Sequence, residues 1–166
     1  SSIDKGNSVT TDSSGNIYVS GATYNYLDGN TGFGGAGDIF LVKYDSSGTK
    51  QWTKQLGTSM GDNGNGVTTD SSGNIYVTGK TGGDLDGNTS SSGNDIILVK
   101  YNSSGTKQWT KQLGTSSSDE GRGVTTDSSG NIYVTGKTGG GLDGNTNSGG
   151  SSGGEDIFLV KYNSSG

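Results

Sequence analysis

A ten-residue word, Thr-Thr-Asp-Ser-Ser-Gly-Asn-Ile-Tyr-Val, begins at Thr10, again at Thr68 and again at Thr125. From Val9 to Val67 the period is 58 residues, and from Val67 to Val124 it is 57, a spacing typical of solenoids and propeller blades. Four segments recur in fixed order. Val9-Thr-Thr-Asp12 leads to Asn16-Ile-Tyr-Val19, then a variable glycine-rich spacer, then Asp38-Ile-Phe-Leu-Val-Lys-Tyr44, then Gln51-Trp-Thr-Lys-Gln-Leu-Gly57. The second copy repeats them at Val67, Asn74, Asp95 and Gln108; the third repeats three, at Val124, Asn131 and Asp156, and reaches Gly166 without a tryptophan segment.

Each segment is short, rich in Ile, Val, Tyr, Phe, Trp or Thr, and bounded by Gly, Ser, Asn and Asp, which is the pattern of strands joined by hairpins. Asp-Ser-Ser-Gly-Asn and Asn-Ser-Ser-Gly-Thr place a glycine where a turn needs positive φ. One unit is therefore a four-stranded antiparallel meander. In Ile96-Ile-Leu-Val99 consecutive residues are apolar, so both faces of that strand must be covered. Stacking similar small sheets face to face does this, and radial stacking is the β-propeller. A parallel β-helix is the competing architecture, but its rungs are shorter and need fewer tight turns. The units read as residues 1–57, 58–114 and 115–166, the last lacking its outer strand.

The pattern Asp-x-x-Gly-Asn-Ile-Tyr-Val, a spacer, then Asp-Ile-Phe-Leu-Val-Lys-Tyr and a tryptophan strand resembles the SBBP-type β-propeller repeat of bacteria, across essentially the whole chain. The resemblance implies that the strands holding Val9, Val67 and Val124 are innermost and those holding Trp52 and Trp109 outermost. It also implies a repeat on an extracellular or cell-surface bacterial protein, a family without an assigned chemistry. Three blades fall short of a closed ring, so further blades of a longer chain, or a second copy forming a homo-oligomer, are expected to complete it.

Hydrophobic residues make up 25% of the chain and glycine 34 of 166 positions, a composition that leans toward disorder. The regular placement of the apolar residues overrides that tendency, leaving a thin core shared between neighbouring blades. The net charge is −5 with basic residues scattered, so no nucleic-acid stripe exists. No apolar run is long enough for membrane insertion by a helix. Cysteine and histidine are absent, which removes disulfides, thiol nucleophiles and histidine acid-base chemistry from this chain.

Asp4, Asp62 and Asp119 share the pattern Asp-x-Gly-x-x-Val, one carboxylate per blade at the approach to the inner strand. They either accept backbone N–H bonds in an entry turn or gather near one mouth of the ring to hold a cation or polar ligand. The spacers contain Leu-Asp-Gly-Asn-Thr in every copy. Asp84, Asp86 and Asn88 alternate like calcium ligands, yet the glycine and terminal glutamate of a calcium loop are not where that motif needs them; an Asp-Gly turn with its leucine tucked on the blade is the other reading. Tyr24, Tyr26 and Phe33 occupy the first spacer, where recognition loops on rigid scaffolds usually lie; they either stack on a sugar or cover the flank of the sheet.

These features lead to the expectation of a non-enzymatic scaffold that binds carbohydrate or a surface protein through its inter-strand loops. A structural subunit of an extracellular filament or surface coat is the competing class. A hydrolase would need residues from outside these repeats.

Overall fold

The computed structural model describes residues 3–148 and 154–166. Among the described residues eleven strands follow one another: β1 (Asp4–Thr11), β2 (Ile17–Thr23), β3 (Asp38–Tyr44), β4 (Lys50–Leu56), β5 (Asp62–Thr69), β6 (Ile75–Thr81), β7 (Asp95–Tyr101), β8 (Lys107–Leu113), β9 (Asp119–Thr126), β10 (Ile132–Thr138) and β11 (Asp156–Tyr162). They form three antiparallel sheets in the orders β1-β2-β3-β4, β5-β6-β7-β8 and β9-β10-β11. The third sheet has three strands, as the missing tryptophan segment predicts.

The recurring word builds its own turn. Asp70 Oδ1 accepts the Ser72 and Asn74 backbone N–H groups at 2.9 Å, while Oδ2 accepts Asn74 Nδ2 and the Tyr76 hydroxyl. Gly73 closes the turn at φ +77°, a conformation an L side chain resists. Asp12 and Asp127 make the same set of bonds in the other two blades. The carboxylate satisfies backbone donors that the hairpin leaves unpaired.

The continuous apolar run of β7 is divided between two interfaces. Ile97 and Val99 join Tyr18, Ile39, Leu41 and Leu56 of the first blade in one buried cluster. Ile96 and Leu98 turn the other way and pack with Ile132, Val134 and Phe158 of the third blade. Each such side chain contributes on the order of 1.5–3 kcal/mol when fully buried. The core is therefore two layers, each lying between sheets.

Inner strands β1, β5 and β9 lie side by side, with β5 touching both of the others, and β4 and β8 stand at the sheet edges. Each inner strand carries a bulge, at Asn7, Asn65 and Arg122. The extra residue re-aims a side chain, and the two asparagines use this to reach the next blade. Asn7 Nδ2 donates to Asn63 Oδ1 and the Gly64 carbonyl, and Asn65 Nδ2 donates to Glu120 Oε1 and the Gly121 carbonyl. This is the radial arrangement of propeller blades, and the three sheets do not close on one another.

Candidate functional site

Asp62 and Asp119 open strands β5 and β9 at equivalent places in their blades. Both are buried. Asp62 Oδ2 accepts the backbone N–H of Thr58 at 2.6 Å and its hydroxyl at 3.0 Å, while Oδ1 accepts the Thr81 hydroxyl. Asp119 repeats this with Thr115 and Thr138. Each carboxylate thus clamps the chain leaving one blade to the first two strands of the next. Asp4 is exposed and accepts the Thr23 hydroxyl at 2.6 Å. The three do not gather at a common point among the described bonds; they are spread one per blade.

What the structure brings beside them is a second set of aspartates. Asp38 and Asp95 open strands β3 and β7, each just ahead of four apolar residues, and are buried at the same blade junctions. Asp62 N donates to the Gly37 carbonyl and Asp119 N to the Asn94 carbonyl, which ties the start of each inner strand to the residue preceding the other aspartate. Burial pushes the Asp62 carboxyl above its usual range, and the nearby Asp38 charge adds to the rise. Sequence reasoning took Asp38 and Asp95 only as strand starts. The available signal was an acid recurring at the head of strands whose next residues are all apolar.

Tyr24 and Tyr26 line a hollow of about 140 Å³ formed by the β2–β3 loop, with Thr23, Asn25, Gly32, Gly37 and Asp38 among its walls. Both rings are substantially exposed. The loop is held beneath them: Gln55 Nε2 donates to the Asn25 carbonyl and to Asp38 Oδ2, and the Phe33 N–H donates to the same oxygen. Phe33 itself lies elsewhere, in a depression shared with Lys54, Leu56, Tyr101 and Lys107 between the first two blades. The structure therefore groups two of the three aromatic candidates and separates the third.

In the second spacer, Asp86 accepts Lys107 Nζ and the Thr110 hydroxyl from β8. Asn88 Nδ2 donates to the Leu85 and Thr110 carbonyls, and Asp84 Oδ1 accepts the Ser90 N–H. Leu85 is buried beneath this loop. The three residues make separate bonds: Asp86 and Asn88 pin the loop onto the outer strand, and Asp84 closes it on itself. Asp28 does the same with Lys50 and Thr53 in the first blade.

A family model described as the SBBP β-propeller repeat matches residues 1–27, 51–86 and 108–143. A protein of Caulobacter vibrioides named Regulatory protein FlaEY is 29% identical over 165 aligned residues, covering 92% of this chain and 17% of its own length. An uncharacterized WD repeat-containing protein of Acanthamoeba polyphaga mimivirus is 29% identical over 177 aligned residues, covering 83% of this chain and 13% of its own. The chain thus spans less than a fifth of either curated relative.

Proposed function

Because the chain belongs to the SBBP β-propeller repeat family, we propose that it is a non-enzymatic binding scaffold of a bacterial surface or secreted protein, with its β2–β3 loops as the recognition elements. The hollow under Tyr24 and Tyr26 carries this reading. Two aromatic faces beside a carboxylate and several backbone groups suit a small polar ligand with an apolar face, such as one residue of a neutral glycan. At about 140 Å³ the hollow is smaller than a drug-sized site, so its affinity is low, and because the second and third spacers carry Gly82 and Asp84, and Gly139 and Gly141, in place of the two tyrosines, the first blade alone supplies it in this chain. The near-identity of the repeats supports a scaffold over a single asymmetric catalytic centre.

A glycan array probed with the wild-type chain and with Tyr24→Ala/Tyr26→Ala tests this. Binding by the wild type that disappears in the variant, with thermal unfolding unchanged, is the expected result. No binding above background by the wild type, or equal binding by both, rejects it.

A specific observation favours assembly as a second reading. Ile157 and Leu159 are 92% and 71% exposed, whereas their counterparts Ile96 and Leu98 are 2% and 1% exposed because the next blade covers them. At the other end Val9 is exposed, and its counterpart Val67 is buried against the first blade. The uncovered face of the third blade thus repeats one side of an interface that the chain already forms internally; on the first blade Val9 is open while Phe40 and Val42, the counterparts of Ile97 and Val99, are already buried, and a copy docked head to tail would cover Ile157, Leu159 and Val9. Light scattering after size-exclusion chromatography is expected to show association that Leu159→Asp abolishes. A monodisperse monomer at high concentration removes this reading.

A further inference from the structure

At both blade junctions two carboxylates are buried together without a cationic partner. Asp38 and Asp62 are 4% and 3% exposed, and Asp95 and Asp119 are fully buried. The ion pairs among the described residues involve Asp28, Asp86, Glu120 and Glu155 instead. Two like charges in a poorly hydrated interface are costly unless a positive species joins them.

One oxygen in each pair is singled out. Asp38 Oδ2 accepts Phe33 N–H and Gln55 Nε2, and Asp95 Oδ2 accepts Ser91 N–H and Gln112 Nε2. Their Oδ1 atoms are buried and accept no hydrogen bond. Each Oδ1 points at a glycine. A Cβ on Gly57 would collide with Asp38 Oδ1 and would also lie 3.1 Å from Asp62 Oδ2, so both carboxylates converge on one side of that residue. A Cβ on Gly114 would collide with the Asp95 carboxylate, and Asp119 is tied to the residue before Asp95 through its N–H on the Asn94 carbonyl. The groups that hydrogen-bond to both pairs are hydroxyl, amide and backbone N–H donors.

We propose that each blade junction binds one hard divalent cation of the calcium class, held by Asp38 with Asp62 and by Asp95 with Asp119. The donor set is oxygen only, which selects hard cations, and its irregular geometry suits calcium better than the octahedral magnesium ion. Each carboxylate pair combines an acid from one blade with an acid from the next, so the ion would cement neighbouring sheets. With only two protein carboxylates per ion, affinity falls in the weak range typical of extracellular modules, on the order of 10⁻⁴–10⁻³ M. Asp4 accepts from Thr23 and Asp156 from Ser148, so among the described residues the pairs number two, one ion per internal junction.

The test is calorimetric titration of CaCl₂ into chelator-stripped wild-type chain, alongside Asp38→Asn/Asp95→Asn, with unfolding followed in both. The wild type is expected to bind about two ions per chain and to gain about 5 °C in Tm at tenfold excess over Kd. The double variant is expected to lose both responses while folding normally in chelator, because the amide keeps the shape and removes one charge. If that variant does not fold, terbium bound to the wild type and displaced by calcium provides the same stoichiometry. No metal response in the wild type overturns the proposal and assigns the neutralising role to a proton. A calcium response retained by the variant overturns it by placing the ion elsewhere. Asp38 also lines the hollow beneath Tyr24 and Tyr26, so glycan binding is read on Tyr24→Ala/Tyr26→Ala, which keeps all four acids, and its failure there leaves the calcium response intact.

Discussion

The Tyr76 hydroxyl donates a 2.9 Å hydrogen bond to Asp70 Oδ2, closing a turn whose backbone N–H groups already converge on the same carboxylate. The tyrosine ring is fully buried and tilts against Trp109 at 6.2 Å between centroids, with Lys100 Nζ 5.5 Å above it. Removing the hydroxyl in Tyr76→Phe costs one hydrogen bond to a charged group, about 1–2 kcal/mol. Asp70→Ala strands several donors at once and is expected to cost about 2 kcal/mol or more. Urea unfolding of both variants checks the order; an Asp70→Ala midpoint equal to the wild type would show that the turn closes without its carboxylate.

Acid sensitivity follows from the same turn in the third blade. The Asn131 side-chain amide is foremost in holding the Asp127 carboxyl down to about 2, helped by the Asn131 and Ser129 N–H groups and the Tyr133 hydroxyl. A carboxyl bound more tightly as its anion in the folded state contributes stability above its unfolded value of 3.8. That contribution is lost as pH falls from about 4 to about 2, since the unfolded chain takes up the proton first. Asp12 and Asp70 are lowered in the same direction, their hydrogen bonds outweighing burial. Urea midpoints are expected to fall through this window, and Asp127→Asn is expected to flatten part of the slope.

The blades were legible because their signals are local. Asp70 and Gly73 shape a turn from within five residues, and Ile96 to Val99 can be recognised as covered on both faces from composition alone. The junction was not legible in the same way. Asp38 meets Asp62 only after a whole outer strand has intervened, and nothing near either residue in sequence marks it as buried beside another acid. The spacer aspartates show the same limitation: Asp86 reads as a free oxygen ligand until Lys107 and Thr110 arrive from the outer strand. Tyr24 and Tyr26 read from sequence as loop aromatics, and the fold adds Asp38 to their hollow while directing Phe33 to another depression.

Equivalent leucines provide an internal control for the blade packing. Leu98 lies between the second and third sheets and Leu159 occupies its place on the uncovered face of the third. Leu98→Ala is expected to cost about 2–5 kcal/mol through lost burial and the cavity left behind. Leu159→Ala is expected to change monomer stability by less than about 0.5 kcal/mol. Denaturant unfolding at low protein concentration compares them; similar losses would mean that the outer face of the third blade is covered in solution.

Asn65 gives the last expected outcome, because its position in the bulge lets it reach from one inner strand to the next. Its amide spans from the second blade to Glu120 Oε1 at 2.9 Å and the Gly121 carbonyl at 2.8 Å. Asn65→Ala removes one charged and one neutral hydrogen bond in a partly buried place, so a loss of about 1–2 kcal/mol is expected. Asn65→Asp sets a second carboxylate against Glu120 and is expected to destabilise more than alanine does, with the excess shrinking as salt screens the repulsion. Unfolding of both variants at low and high salt distinguishes this from a simple loss of packing, for which the two substitutions would respond to salt alike.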